Sequence, residues 1–300
     1  MTTIDLSQNS SAQKSSNVVG SGDGRTSQVV IKVVTHVLLI FGVLVSIFPF
    51  YWMIVMSTNK HQDIMKSTPT LTFGSQLANN IQTVLDSIPF WGSLWNTIVV
   101  ATISTVLVLF LSSIAAFAFA KFEFPGKKTL FVILLATFMV PSQLSTVPSF
   151  VIMSELGWVG TFQALIVPGA VSAFGIFLLR QYAEGAIHPD LLDAARIDGC
   201  GFFRQYLNVA VPLLRPALAF LGIFTFIGVW NDYFWPLVIL INPDQVTLQV
   251  ALNQLNGLLY QTDYSTVMTG TLLAVLPLLA IFLVGARQFL SDLAAGALKQ

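Results

Sequence analysis

Asp193-Ala194-Ala195-Arg196-Ile197-Asp198-Gly199-Cys200-Gly201-Phe202-Phe203-Arg204-Gln205-Tyr206-Leu207-Asn208-Val209-Ala210-Val211-Pro212-Leu213-Leu214-Arg215-Pro216 is the stretch whose reading decides the fold. It carries three arginines and two aspartates, yet long apolar runs flank it on both sides. Of the 300 residues, 55% are hydrophobic and 9% charged, and the mean hydropathy is +0.77. A soluble domain carries roughly 25% charged residues, so this chain has too few to cover a water-facing surface. It reads as an all-α integral membrane protein, with the quoted stretch lying in water at one face of the bilayer.

Working outward, six runs are each long enough to cross about 30 Å of hydrocarbon with about 20 residues. They lie between Lys32 and Lys60, within 87–120, and at 129–154, 156–179, 216–240 and 264–286; the fifth contains Asp232. Residues 1–28 are polar, rich in Ser, Gln, Asn and Gly, and read as a disordered tail. That leaves 29–300 as the membrane domain. The first apolar run starts too late and is too long for a signal peptide. Basic residues favour the cytoplasmic side. Placing both termini there puts 12 of the 14 basic residues inside, leaving only Lys60 and Lys66 outside. Prolines 49, 141, 148, 168, 236 and 277 fall within the runs, and Ser112, Ser113, Ala115, Ala116, Gly169, Ala170, Ser172 and Ala173 allow close helix approach.

Several chemistries are excluded. Gly126-Lys127-Lys128 lacks the upstream glycine of a phosphate-cradling loop. His36, His61 and His188 are scattered without metal-ligand spacing, so no metal or cofactor is expected. No Ser or Cys sits in a pattern suggesting a catalytic triad, and the single cysteine, Cys200, reads as a small loop residue. Asp232 is the one ionisable group deep in a run, too little for a proton relay. Nothing suggests nucleic-acid binding. If the chain transports a solute, energy must enter from another subunit.

The charged stretch itself reads as two short helices around a glycine bend. Pro189 suits the first turn of the first helix, Asp190 and Asp193 lie near its positive end, and Gly199 stops it. Leu191, Ala194, Ala195 and Ile197 are expected to form its apolar stripe, and a second helix should run from about Phe202 to Val209. The spacing resembles the signature loop of ABC-importer permeases: Glu-Ala-Ala, three residues, Gly, nine residues, Ile-x-Leu-Pro. Here Asp193, Ala194, Ala195, Gly199, Val209, Val211 and Pro212 keep every interval, with Asp in place of Glu and Val in place of Ile and Leu. Further likeness to the carbohydrate, maltose-transporter branch lies in Asn96-Thr97, in Phe122 to Gly126 and in Ala173 to Arg180. It continues in Trp230-Asn231-Asp232, in Trp235-Pro236-Leu237 and in the closing Ala294 to Lys299.

The resemblance implies a type I ABC importer permease fold of six transmembrane helices, with a coupling loop at about 187–212. The family pairs such a chain with a second permease in a heterodimer. It adds two ATP-binding subunits and an extracytoplasmic solute-binding protein, all in a bacterial or archaeal inner membrane with its lipid. A sugar would be the substrate. Asp193 would be the charged contact to the ATPase, and the tail with Gly296 and Lys299 would reach the ATPase interface. ATP hydrolysis would belong to the separate subunits, so the chain is not expected to be an enzyme. Trp230, Asn231 and Asp232 are candidates for lining the translocation path; Asp232 could instead order helix ends or a subunit interface. Two other readings stay open: a permease of this superfamily for glycerol phosphate or polyamine, and an ATP-independent carrier or channel.

Overall fold

The computed structural model of the chain describes residues 23–66, 68, 70–257 and 262–297. Their regular structure is helical. Fourteen α-helices can be named: α1 (Asp23–Thr58), α2 (His61–Ile64), α3 (Leu77–Ser87), α4 (Phe90–Lys121), α5 (Lys127–Phe138), α6 (Thr146–Glu155), α7 (Gln163–Ile166), α8 (Ala173–Ala186), α9 (Pro189–Ile197), α10 (Phe202–Gln205), α11 (Val211–Trp230), α12 (Phe234–Ile239), α13 (Leu248–Gln254) and α14 (Tyr264–Ala297). Most of the expected tail, residues 1–22, lies outside the described residues, and α1 begins at Asp23.

The described residues up to Trp52 and those from Met53 onward are two compact units. In the first, the apolar helix α1 carries Phe48 stacked on Trp52. The second holds the bundle. Its spine is α4, at 32 residues about 48 Å long, against which α8 and α11 pack. Small residues make this possible. Ser112 and Ala116 of α4 are fully buried. A Cβ added to Gly175 of α8 would stand 2.9 Å from Ser112 Oγ and 3.1 Å from Leu221 Cδ2, so three helices converge there.

The spans differ from the sequence expectation in continuity. Among the described residues, four helices are long and apolar enough to cross a bilayer: Gln28–Thr58, Phe90–Lys121, Phe202–Trp230 and Tyr264–Leu283. The third expected span is a pair, α5 and α6, bent by 89°. Pro141 stands in the break, and a proline drives its predecessor out of helical conformation. The fourth is broken into α7 and α8 around Pro168 and Gly169, and Ser172 Oγ caps the restart by accepting from Gly175 N–H at 3.0 Å. The fifth ends at Trp230 instead of running to Leu240. Asn231 ends it, its side-chain amide donating to Ile227 O at 2.9 Å, and Pro236 supplies no N–H to continue the ladder.

At the end opposite Lys121, Trp230 packs with Val84, Phe90, Leu248 and Ala251. A buried polar knot fixes the neighbouring loop. Asn80 Nδ2 donates to Ser57 O at 2.8 Å and Asn59 O at 3.0 Å, while Asn59 Nδ2 donates to Thr72 O at 2.9 Å. Buried amides require such partners.

Candidate functional site

The charged stretch folds into a knob fastened to the foot of α11. Helix α9 starts with Pro189 at its first position. It ends in a left-handed glycine: Gly199 has φ 75°, its N–H donates to Arg196 O at 3.0 Å, and Cys200 N–H reaches Ala195 O at 2.8 Å. This pair of bonds is a Schellman cap, which glycine closes without Cβ strain. Gln205 Nε2 then ties down Cys200 O at 2.7 Å.

The expected second helix is not separate. Residues 202–205 pass through one π-helical turn, Tyr206–Ala210, directly into α11. The wider turn accommodates Pro212, which cannot donate to the preceding turn. The knob is therefore continuous with a membrane-crossing helix of 29 residues, Phe202–Trp230. An aromatic cage clamps it to α4. Phe117, fully buried, lies 5.3 Å from Phe122, 5.5 Å from Phe202 and 6.1 Å from Tyr206, measured between ring centroids. Tyr206 Oη and Ser113 Oγ share a buried hydrogen bond of 2.7 Å.

The faces of α9 also need correction. Leu192 and Ala195, three residues apart, are its buried stripe, and Leu192 joins the Phe117 cluster. Leu191, Ala194 and Ile197 point the other way, and Ile197 is 87% exposed. Phe203 and Leu207 are exposed alongside. Asp193 is exposed and paired with Arg196 at 2.8 Å. The missed signal was the i, i+3 choice: Leu192/Ala195 and Leu191/Ala194 both fit a helix, and only packing on Phe117 selects the first. Val209 and Val211 are half-buried in the same cluster, and Pro212 is exposed. Gly296 falls in the last turn of α14, and Lys299 lies outside the described residues.

At the far end of α11 the candidate path residues part company. Trp230 is buried to 1%. Asp232 stands just before α12, its carboxyl near the backbone N–H groups of Phe234 and Trp235 at the start of that helix. It also borders a cavity of about 200 Å³ with Thr97, Ser104, Thr225 and Thr247. Asn231 faces a second cavity of about 330 Å³, lined also by Tyr233, Gln249, Asn253 and Asn256. There Asn253 Nδ2 donates to Tyr233 Oη at 2.8 Å and Asn256 Nδ2 to Asn253 Oδ1 at 3.0 Å. Among the described residues, no charged side chain lines this second cavity. Gln249 and Asn253 on α13, and Asn256 just after it, were invisible as site residues because scattered amides carry no spacing signature.

A membrane bundle with a stiff charged knob at one end and polar cavities at the other is built as a transport permease. The chain belongs to the family of binding-protein-dependent transport system inner membrane components, whose profile matches residues 109–289. It is 33% identical to the lactose transport system permease protein LacG of Rhizobium radiobacter, over 87% of this chain and 94% of that one. It is 30% identical to the arabinooligosaccharides transport system permease protein AraQ of Halalkalibacterium halodurans, over 86% and 93%. With the sn-glycerol-3-phosphate transport system permease protein UgpE of Salmonella typhi it shares 32% identity, over 86% and 94%. A bacterial ABC transporter importing the acidic polysaccharide alginate contains a chain that superposes with TM-score 0.77 at 25% identity, covering 88% of this chain and 98% of that one. The fold is thus that of a type I ABC importer permease, a multi-pass inner-membrane transport component and not an enzyme.

Proposed function

We propose that the chain is the permease subunit of an ATP-driven sugar importer, forming the translocation path together with a second permease. In this reading the chain crosses the membrane six times, three of the spans being broken, and both termini are cytoplasmic. The knob docks on one of two ATP-binding subunits, and a solute-binding protein delivers the sugar at the opposite face. The observation that carries this reading is the knob: α9 presents Leu191, Ala194, Ile197 and Asp193 outward while its other face is clamped on Phe117. An apolar contact ringed by charge suits a docking surface. A rigid clamp lets a pull on α9 act on α11 as one body, whereas a mobile loop would dissipate it.

Sugar is favoured over glycerol phosphate, which one relative's name carries. The cavity beside Asn231 offers amides and a tyrosine, able both to donate to and to accept from hydroxyls. Among the described residues it has no Lys or Arg with which to hold a phosphate. The test is co-expression with the cognate ATP-binding subunit, partner permease and binding protein. The wild type should retain the ATPase on purification and take up neutral sugar only with ATP. Gly199→Pro or Asp193→Lys should insert in the membrane yet lose the ATPase. Uptake by the chain alone, without ATP, would refute the reading.

A further inference from the structure

A third cavity, of about 730 Å³, lies away from the knob's outer face and from the amide-lined cavity. Its walls include Lys127, Lys128, Arg180 and the rings of Phe119, Phe124 and Phe131; Glu123 is its acidic member. We propose that this groove binds the anionic headgroup of a phospholipid.

Its depth fits that ligand. Lys121 closes the apolar run of α4, and Lys127 opens the next membrane-entering helix. The groove between them sits where hydrocarbon gives way to water. Its two surfaces match the two halves of a lipid. Phe119 packs at 5.5 Å from both Phe124 and Phe131, an apolar wall for glycerol and upper acyl chain. Arg180 lies 4.2 Å over the Phe131 ring and directs cationic charge beside it.

The start of α5 breaks a local rule in the way an anion would repair. A helix N-terminus is the positive end of its dipole and favours acids. Here α5, 12 residues long, begins Lys127-Lys128, has no acid in its first turn and has no side-chain cap. Lys127 is partly neutralised by Glu123 at 2.9 Å, and Arg180 by Glu184 at 2.6 Å. Arg180 Nε is buried without a hydrogen-bond partner, and Lys128 is exposed and makes no ion pair among the described residues. Cationic capacity thus remains at one spot on the interface, beside unsatisfied helix-end N–H groups. Basic grooves between membrane helices at this depth attract acidic headgroups.

The test uses the assembled transporter, exchanged into phosphatidylcholine nanodiscs doped with phosphatidylglycerol, with retained lipid read by native mass spectrometry. The wild type should enrich phosphatidylglycerol. Lys128→Ala should weaken retention about fivefold and Lys128→Arg should restore it. Inorganic phosphate should fail to compete. No enrichment, or enrichment indifferent to Lys128→Ala, would overturn the proposal. Displacement of the lipid by phosphate alone would overturn it in favour of a soluble anion. Because Lys128 is exposed, a folding failure of Lys128→Ala is not expected; Lys128→Gln provides a second neutral variant with the same readout.

Discussion

The two ends of α11 are built on opposite plans. At its foot the helix continues through residues 202–210 without a break, and Phe117, Phe122, Phe202 and Tyr206 lock it to α4. At its head the helix stops at Trp230, turns through Asn231, Asp232 and Tyr233, and restarts as α12. Apolar packing dominates the foot. Amides, threonines and two cavities dominate the head. The contrast is what a lever requires: stiffness where force enters, and an opened backbone with free polar groups where a hydrated solute must be met. Energetically, the foot should therefore be where truncation costs stability, and the head where it costs only transport.

The largest expected effect is at the foot. Phe117→Ala empties the centre of the cage and should destabilise the protein by about 3–5 kcal/mol, read as a lowered Tm of the detergent-purified chain. ATPase retention should fall with it, since α9 loses the surface under Leu192. If Tm holds, the cage is not what stiffens the foot. A smaller cost falls on Gly199→Ala, which forces a Cβ into the left-handed region at φ 75°, a penalty of about 1–2 kcal/mol. There the position around Gly199 is open, with nothing near the added Cβ. The loss should thus come from backbone strain, appearing as weaker ATPase co-purification out of proportion to the Tm change.

The foot was far more legible in the sequence than the head, and the reason is physical. A coupling knob must hold one shape, so its determinants are local and spaced: a proline at the helix start, a glycine at the left-handed cap, a proline where the long helix begins. Pro189, Gly199 and Pro212 could be read one at a time. What remained hidden was which stripe of α9 faced inward, because that is decided by Phe117, more than 70 residues away in sequence. At the head, Asp232 stood out only by its charge, and charge alone could not separate capping α12 from lining a path. The breaks in the third, fourth and fifth expected spans were foreshadowed by Pro141, Pro168 and Pro236. A proline within an apolar run is equally compatible with a kinked continuous helix, so hydropathy still counted six uninterrupted crossings.

A third test probes the cap of α14, beside the head. Asp263 accepts from Ser265 N–H at 2.9 Å and from Thr266 Oγ at 2.9 Å, and its Oδ1 lies 3.8 Å from His61 Nδ1. Burial pushes its carboxyl up, but the hydrogen bonds from Ser265 and Thr266 prevail and hold it below the usual range. A depressed folded-state pKa means the contribution is present above the unfolded pKa and is lost as pH falls through the folded value. Asp263→Ala should therefore cost about 1 kcal/mol at neutral pH. The gap from wild type should close on acidification below the ordinary carboxylate range. A gap independent of pH would mean the capping carboxylate is not its source.

The smallest stability effect, and the sharpest test of the contrast, is at Asn253. Its amide bonds Tyr233 Oη at 2.8 Å on an exposed surface of the amide-lined cavity. Exposed substitutions of this kind usually change stability by no more than about 0.5 kcal/mol. Asn253→Ala should leave Tm and ATPase retention unchanged. If the head meets sugar hydroxyls, the same change removes a donor and an acceptor from a site that excludes charge, raising the KM for uptake about tenfold at the roughly 1.4 kcal/mol per decade that binding obeys. Two outcomes break the comparison. A large fall in Tm would make the head as structural as the foot. An unchanged KM would leave the amide cluster as loop packing and move the sugar path to other residues.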